Sequence, residues 1–232
     1  MSATQPFFDR LEARIAPFNL LTHPFYQAWT AGELTREDLR EYAAEYWHHV
    51  SAFPTYLSAL HAQLEDTELR RTVLRNLLDE EGIDAADGKP HSQLWMDFAH
   101  GMGAGDAEVR TRTLQPESAA LIATFRRFAQ QGDTAAALAA FYAYESRVPA
   151  IAREKSAGLQ QHYAADAATC RYFTLHQTAD VHHAEVWQQA IDAELQRNPA
   201  SAEAALDAAE TTAKALWSAL DGVERLRQQR VN

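Results

Sequence analysis

Residues 166–197 read DAATCRYFTLHQTADVHHAEVWQQAIDAELQR, with no glycine and no proline. Apolar residues recur three and four apart, the pattern of an amphipathic helix rather than of a strand. An α-helix turns about 100° per residue, so His176, Asp180 and His183 fall within an arc of roughly 60°, while His182 points well away. Phe173, Ala179, Ala184 and Trp187 share that side, which marks it as interior. A helix that buries imidazoles and a carboxylate must give them partners. The partners are either other side chains or a metal ion.

The rest of the chain reads the same way. Nine glycines and eight prolines are spread over 232 residues, and little period-two alternation of β-branched residues occurs. Helices are expected over 5–16, over 23–32 with Gly32 as the stop, and over 35–64. Thr35 caps the third, with Asp38 in its first turn and a bend at Pro54. Asp66 caps the next, which ends near Glu81-Gly82. GIDAADGKP (82–90) is a loop by its glycine, proline and aspartate content. HSQLWMDFAHGMG (91–103) is a helix stopped by glycines, and another begins near Pro116. Long helices follow from Asp133 to about Tyr163, bent at Pro149, then over 166–197 and 201–227. No repeat or linker divides the chain. The expected fold is all-α, a single-domain bundle of seven to nine helices, whose interior is where such proteins build metal and ligand sites.

Composition narrows the function classes. Hydrophobic residues make up 47% and charged residues 23%, which describes a globular protein with a substantial core. Thirty-two acidic against 21 basic residues leave a formal charge of −11, which repels phosphate backbones and argues against a nucleic-acid partner. The single cysteine, Cys170, cannot form an internal disulfide and fits a reducing compartment. MSATQPFFDRLEARIAPFNLL (1–21) is no secretory signal, and no run reaches the ~18 apolar residues of a membrane span. The expectation is a soluble cytoplasmic protein.

Two further segments carry chemistry. Glu145 sits in DTAAALAAFYAYESRVPAIA (133–152), an otherwise apolar helix with no charge between Asp133 and Glu145. A buried carboxylate there needs Arg147, Arg153 or a metal as partner. In NLLDEEG (76–82), Glu80 or Glu81 ends one helix, and His91 opens the next; spacing does not choose between the two glutamates. With His176, Asp180 and His183, these supply three carboxylates and three imidazoles, enough for two transition-metal ions sharing a carboxylate bridge. Mixed nitrogen and oxygen donors suit iron and manganese; zinc would bind but has no redox chemistry. A ferritin-like site needs two Glu-x-x-His pairs, and only Glu45 with His48 fits that spacing.

HPFYQAWTAGELTREDLREYAAEYWHH (23–49), NLLDEEG, HSQLW, YAYESRVPAIAREKSAGL (142–159) and YFTLHQTADVHHAE (172–185) together resemble the CADD-like family (chlamydial protein associating with death domains) and its proteobacterial relatives. The resemblance covers about residues 18–190. It implies the haem-oxygenase-like fold and the dimetal oxidase branch of that group. It also implies six metal ligands, which fall on Glu80, His91, Glu145, His176, Asp180 and His183, and so favours Glu80 over Glu81. The loop before His91 is about one helical turn longer here than in the family pattern.

The activity that the resemblance implies is p-aminobenzoate synthesis for folate, with the ring cut from one of the protein's own tyrosines. That tyrosine matches Tyr26, the amine donor matches Lys155, and Tyr42 and Tyr144 match aromatic residues nearby. Two iron ions or one manganese and one iron would be the cofactors. Dioxygen and an electron donor would be consumed, in a protein expected to form a homodimer. From the residues alone Tyr26 reads as an aromatic core residue and Lys155 as a solvated lysine. Competing readings are a dimetal oxidase with a free small-molecule substrate and a thiaminase-like hydrolase using Cys170. That cysteine lies roughly 120° around the helix from His176, off the ligand face. A non-enzymatic binding role and Ser-His-Asp catalysis have no supporting motif.

Overall fold

The computed structural model describes residues 5–83, 85, 87–130 and 132–231, apart from the side chains at 179–181 and 231. Among these the chain is all-α. Its helices are α1 (Gln5–Ile15), α2 (Pro24–Ala31), α3 (Arg36–Gln63), α4 (Thr67–Glu80), α5 (His91–Met102), α6 (Asp106–Thr111), α7 (Pro116–Gln130), α8 (Thr134–Glu145), α9 (Val148–His162), α10 (Ala167–His176), α11 (Ala179–Arg197) and α12 (Ala202–Val231). The nearly all-apolar α8 lies in the middle, packed by α12, α11 and α7, while α3 packs on α5, α7 and α4. One continuous apolar cluster runs through the bundle from Phe7 to Val223.

The ends of these helices follow local rules. Thr35 and Asp38 form the reciprocal capping box that opens α3. At the start of α2 the His23 ring replaces the usual hydroxyl. Its Nδ1 accepts from the Phe25 amide at 3.1 Å, and its Nε2 donates to Asp221 of α12 at 3.1 Å. Pro54 stays inside α3, which runs unbroken past it.

Two of the expected long helices are each divided, and the short α6 is added. Proline at 149 has no amide hydrogen, and its ring collides with the carbonyl four residues back, that of Glu145. The helix therefore ends at Glu145 and resumes at Val148 with the proline in its first turn. The second break falls at Gln177-Thr178, where Thr178 leaves helical geometry at φ −120°. His176 thus ends one helix and His183 lies in the next, so the single helical face expected over 176–183 is corrected to a corner between two helices. No helix among the described residues is long and apolar enough to cross a membrane.

Candidate metal centre

The inner stripe of α4 is Leu69, Val73, Asn76 and Glu80, a 4-3-4 spacing that places its last residue in the interior. Glu80 is buried and Glu81 is exposed, so burial separates the two glutamates that spacing left equivalent. Gly82 then turns with φ +68°, and a Cβ there would stand 2.3 Å from the Lys89 carbonyl oxygen. Only glycine lets the two ends of the loop close this tightly. The closure seats His91 against Glu80, Nδ1 to Oε2 at 3.0 Å.

His176 completes this group from the end of α10. Its Nδ1 lies 2.7 Å from the Tyr172 carbonyl oxygen. A carbonyl only accepts, so Nδ1 carries the proton and Nε2 keeps the lone pair that a metal needs. The His91 and His176 rings are 4.5 Å apart, and one donor atom from each of Glu80, His91 and His176 lies within 4.8 Å of the other two. Bonds of about 2 Å to a shared ion would hold such donors roughly 3–4 Å apart. Burial alone would raise the Glu80 pKa, but the imidazoles of His91, His176 and His183 outweigh it and hold the carboxyl below its ordinary value.

Glu145 faces this group from the end of α8. It is 1% exposed and accepts from Asn76 Nδ2 at 3.2 Å on both oxygens and from Trp187 Nε1 at 2.6 Å. His183 Nδ1 is 3.7 Å from it, and His183 Nε2 donates to Asp79 at 3.1 Å. Arg147, a possible ionic partner for Glu145, pairs instead with Glu12. A cavity of ≈ 10 Å³ lies between the groups, touching Glu80, His176, Glu145, Tyr144, Tyr172 and Val148. The Asp180 backbone belongs to α11, and its side chain lies outside the described residues. Five of the six expected donors therefore gather in one buried region. Their carboxylate and imidazole chemistry fits divalent ions of the iron and manganese type.

Beside them stands an aromatic cluster. Lys155 of α9 is fully buried, and its Nζ donates to the Tyr26 carbonyl oxygen at 3.1 Å and lies 4.0 Å from the centre of the Tyr26 ring. Burial drives the Lys155 pKa down to about 7. The hydroxyls of Tyr26 and Tyr42 share a hydrogen bond of 2.8 Å, and burial pushes the Tyr26 phenol up to about 12. Tyr42 stacks on Tyr46, which hydrogen-bonds Tyr144. A cavity of ≈ 30 Å³ bounded by Tyr26, Tyr42 and Tyr46 shares Tyr144, Val148 and Tyr172 with the cavity at the carboxylates.

Several contributors escape sequence reasoning. Asn76 alone carries a local signal, because it lies four residues before Glu80 on the same stripe. Asp79, Tyr46 and the Tyr172 carbonyl carry no local signal. Lys155, which composition reads as solvated, is among the most enclosed side chains. Cys170 is 1% exposed, and burial raises its thiol pKa, the reverse of what a nucleophile requires.

Comparison with known proteins agrees with this picture. The family model described as "Iron-containing redox enzyme" matches residues 40–217. The 4-aminobenzoate synthase of Nitrosomonas europaea is 40% identical over 95% of this chain and 92% of its own length. That of Chlamydia muridarum is 38% identical over 93% of this chain and 89% of its own. A haem-oxygenase-like domain from Shewanella denitrificans superposes with a TM-score of 0.80 at 17% identity, covering 95% of this chain and 93% of that one. With the family model spanning most of its length and its buried donors of the matching chemistry, the chain belongs to the iron-containing redox enzymes of haem-oxygenase-like fold.

Proposed function

We propose that this protein is a dimetal oxygenase that makes p-aminobenzoate from its own Tyr26, with Lys155 supplying the amine. The observation that carries the reading is the buried Lys155 Nζ, 3.1 Å from the Tyr26 carbonyl oxygen and 4.0 Å from its ring centre. An ordinary structural lysine reaches solvent or a carboxylate. This one is spent on the tyrosine matching the family's consumed residue. Support also comes from the relatives named 4-aminobenzoate synthase.

Bound at Glu80, His91, Glu145, His176, Asp180 and His183, two iron ions or a manganese–iron pair would supply dioxygen activation, with electrons from an external donor. The chain's own part is positioning and protonation. Tyr42 holds the Tyr26 hydroxyl and is able to take or return its proton. The apolar walls around Lys155 keep much of it neutral near pH 7, so that a nitrogen lone pair is available beside the ring. The tight packing of Trp29, Tyr42 and Trp95 excludes water from the reacting pair.

A free small-molecule substrate is the weaker reading. Sites for small molecules usually measure about 300–1,000 Å³, against ≈ 30 and ≈ 10 Å³ for the two cavities here. The test is intact mass and p-aminobenzoate assayed together after iron, manganese, reductant and air are added. The expected outcome is at most one product per chain and a mass loss at Tyr26, with neither from Tyr26→Phe. Repeated turnover with Tyr26 intact would overturn the proposal.

A further inference from the structure

Behind the buried donors, between α4 and α11, lies an open groove of ≈ 200 Å³ lined by Arg75, Asn76, Asp79, His182, His183 and Trp187. Its floor is the back of the candidate metal centre, because Asn76 and Trp187 both donate to Glu145 and His183 Nδ1 lies 3.7 Å from the same carboxylate. Its mouth is different in kind. The Asp79 side chain is 49% exposed, His182 is exposed beside it, and Asp79 accepts from His183 Nε2 at 3.1 Å.

The two nitrogens of His183 therefore face opposite ways, one toward an outer carboxylate and one toward an inner one. A divalent ion arrives with its water shell and cannot cross apolar packing. It must exchange waters for protein donors step by step. The cavity at Glu80 and Glu145 holds only ≈ 10 Å³, too small for a hydrated ion. The groove offers what such a passage needs: a carboxylate and an imidazole in water, then a buried imidazole touching both sides.

We propose that Asp79, His182 and His183 form a loading port through which divalent metal ions pass from solvent to the buried carboxylates. The proposal rests on the reading of those carboxylates as a metal centre. Asp79 and His182 capture the hydrated ion at the mouth. Loss of the Asp79 contact then frees His183 to turn its ring and hand the ion to Glu145. Arg75, on the same wall, opposes a cation and sets a brake on loading.

A port alters rates and leaves the equilibrium alone, so uptake and release must change by the same factor. The experiment mixes metal-free protein with Co(II) in a stopped-flow instrument and follows the cobalt absorption. Release into excess chelator is timed separately, and bound cobalt is counted at equilibrium. Asp79→Ala is expected to slow uptake by about ten-fold, on the scale of electrostatic capture. His182→Ala should slow uptake and release by one smaller factor, and Arg75→Gln should speed both by one factor. Half-saturation should match the parent in His182→Ala and Arg75→Gln.

Unchanged rates in Asp79→Ala and His182→Ala would overturn the port while leaving the metal centre standing. Weaker equilibrium binding with faster release in His182→Ala would also overturn it, since His182 would then hold the bound ion rather than pass it on. A parent protein that binds no cobalt would remove the metal centre as well. Because Asp79 and His182 are both exposed, neither substitution opens the core, and circular dichroism confirms that each variant is folded before the rates are compared.

Discussion

At the scale of one residue, Lys155 ties stability to chemistry. Its ordinary pKa of 10.5 falls to about 7 because its ammonium form would be enclosed by apolar and aromatic groups. Between those values the unfolded chain holds a proton that the folded chain lacks. Stability conferred by this group therefore rises with pH across about 7 to 10.5, by up to ~1.4 kcal/mol per unit. Lys155→Met should flatten that part of the profile, raise the melting temperature most below pH 7, and abolish p-aminobenzoate formation. Melting curves from pH 6 to 10 read the first effect. A slope unchanged by the substitution would mean that the lysine is charged in the folded protein. Product yield in the parent should climb as pH passes through about 7, following the neutral amine.

At the scale of the element, the contact between α2 and α9 makes the Tyr26–Lys155 pair possible. Gly158 lies three residues after Lys155, on the same side of α9, and a Cβ there would stand 2.8 Å from Trp29 Cδ1. A methyl at this position forces α2 outward and draws Tyr26 away from Nζ. Gly158→Ala is expected to lower stability by about 1–3 kcal/mol, the usual cost of overpacking, and to cut product yield while cobalt binding stays intact. Equal yields would show that the pair tolerates the shift. Such contacts were not legible beforehand. Helical periodicity locates the apolar stripe of α9, but it says nothing about which neighbour lies across from a glycine. The breaks divide along the same line. Pro149 announces itself, though it ends α8 at Glu145 rather than bending a longer helix. Thr178 gives no sign, because a lone threonine is common inside helices and only the turn of the chain between α10 and α11 singles it out.

At the scale of the whole molecule, the bundle encloses charge that its own side chains only partly balance. Glu80 and Glu145 are buried together with His91, His176 and His183, and the neutral donors Asn76 and Trp187 meet one carboxylate. Composition and period made the helical class legible, because few glycines and prolines interrupt the apolar spacing. They left the meeting of distant segments open, since Glu80, Glu145 and His183 are brought together by α4, α8 and α11 from widely separated parts of the chain. A bound cation would relieve the enclosed charge in the folded state alone, so metal should stabilise the protein by linkage. At a hundred times its dissociation constant the gain is about 2.7 kcal/mol, or roughly 5–11 °C for a chain of this length. Manganese added without oxygen to chelator-treated protein should raise the melting temperature by at least that amount. His176→Ala should lose the rise, because it removes a donor. Tyr26→Phe should keep it, because its ring lies outside the donor set. A rise that survives in His176→Ala would place the metal elsewhere in the bundle, and a rise lost in Tyr26→Phe would make the tyrosine part of the metal's own surroundings.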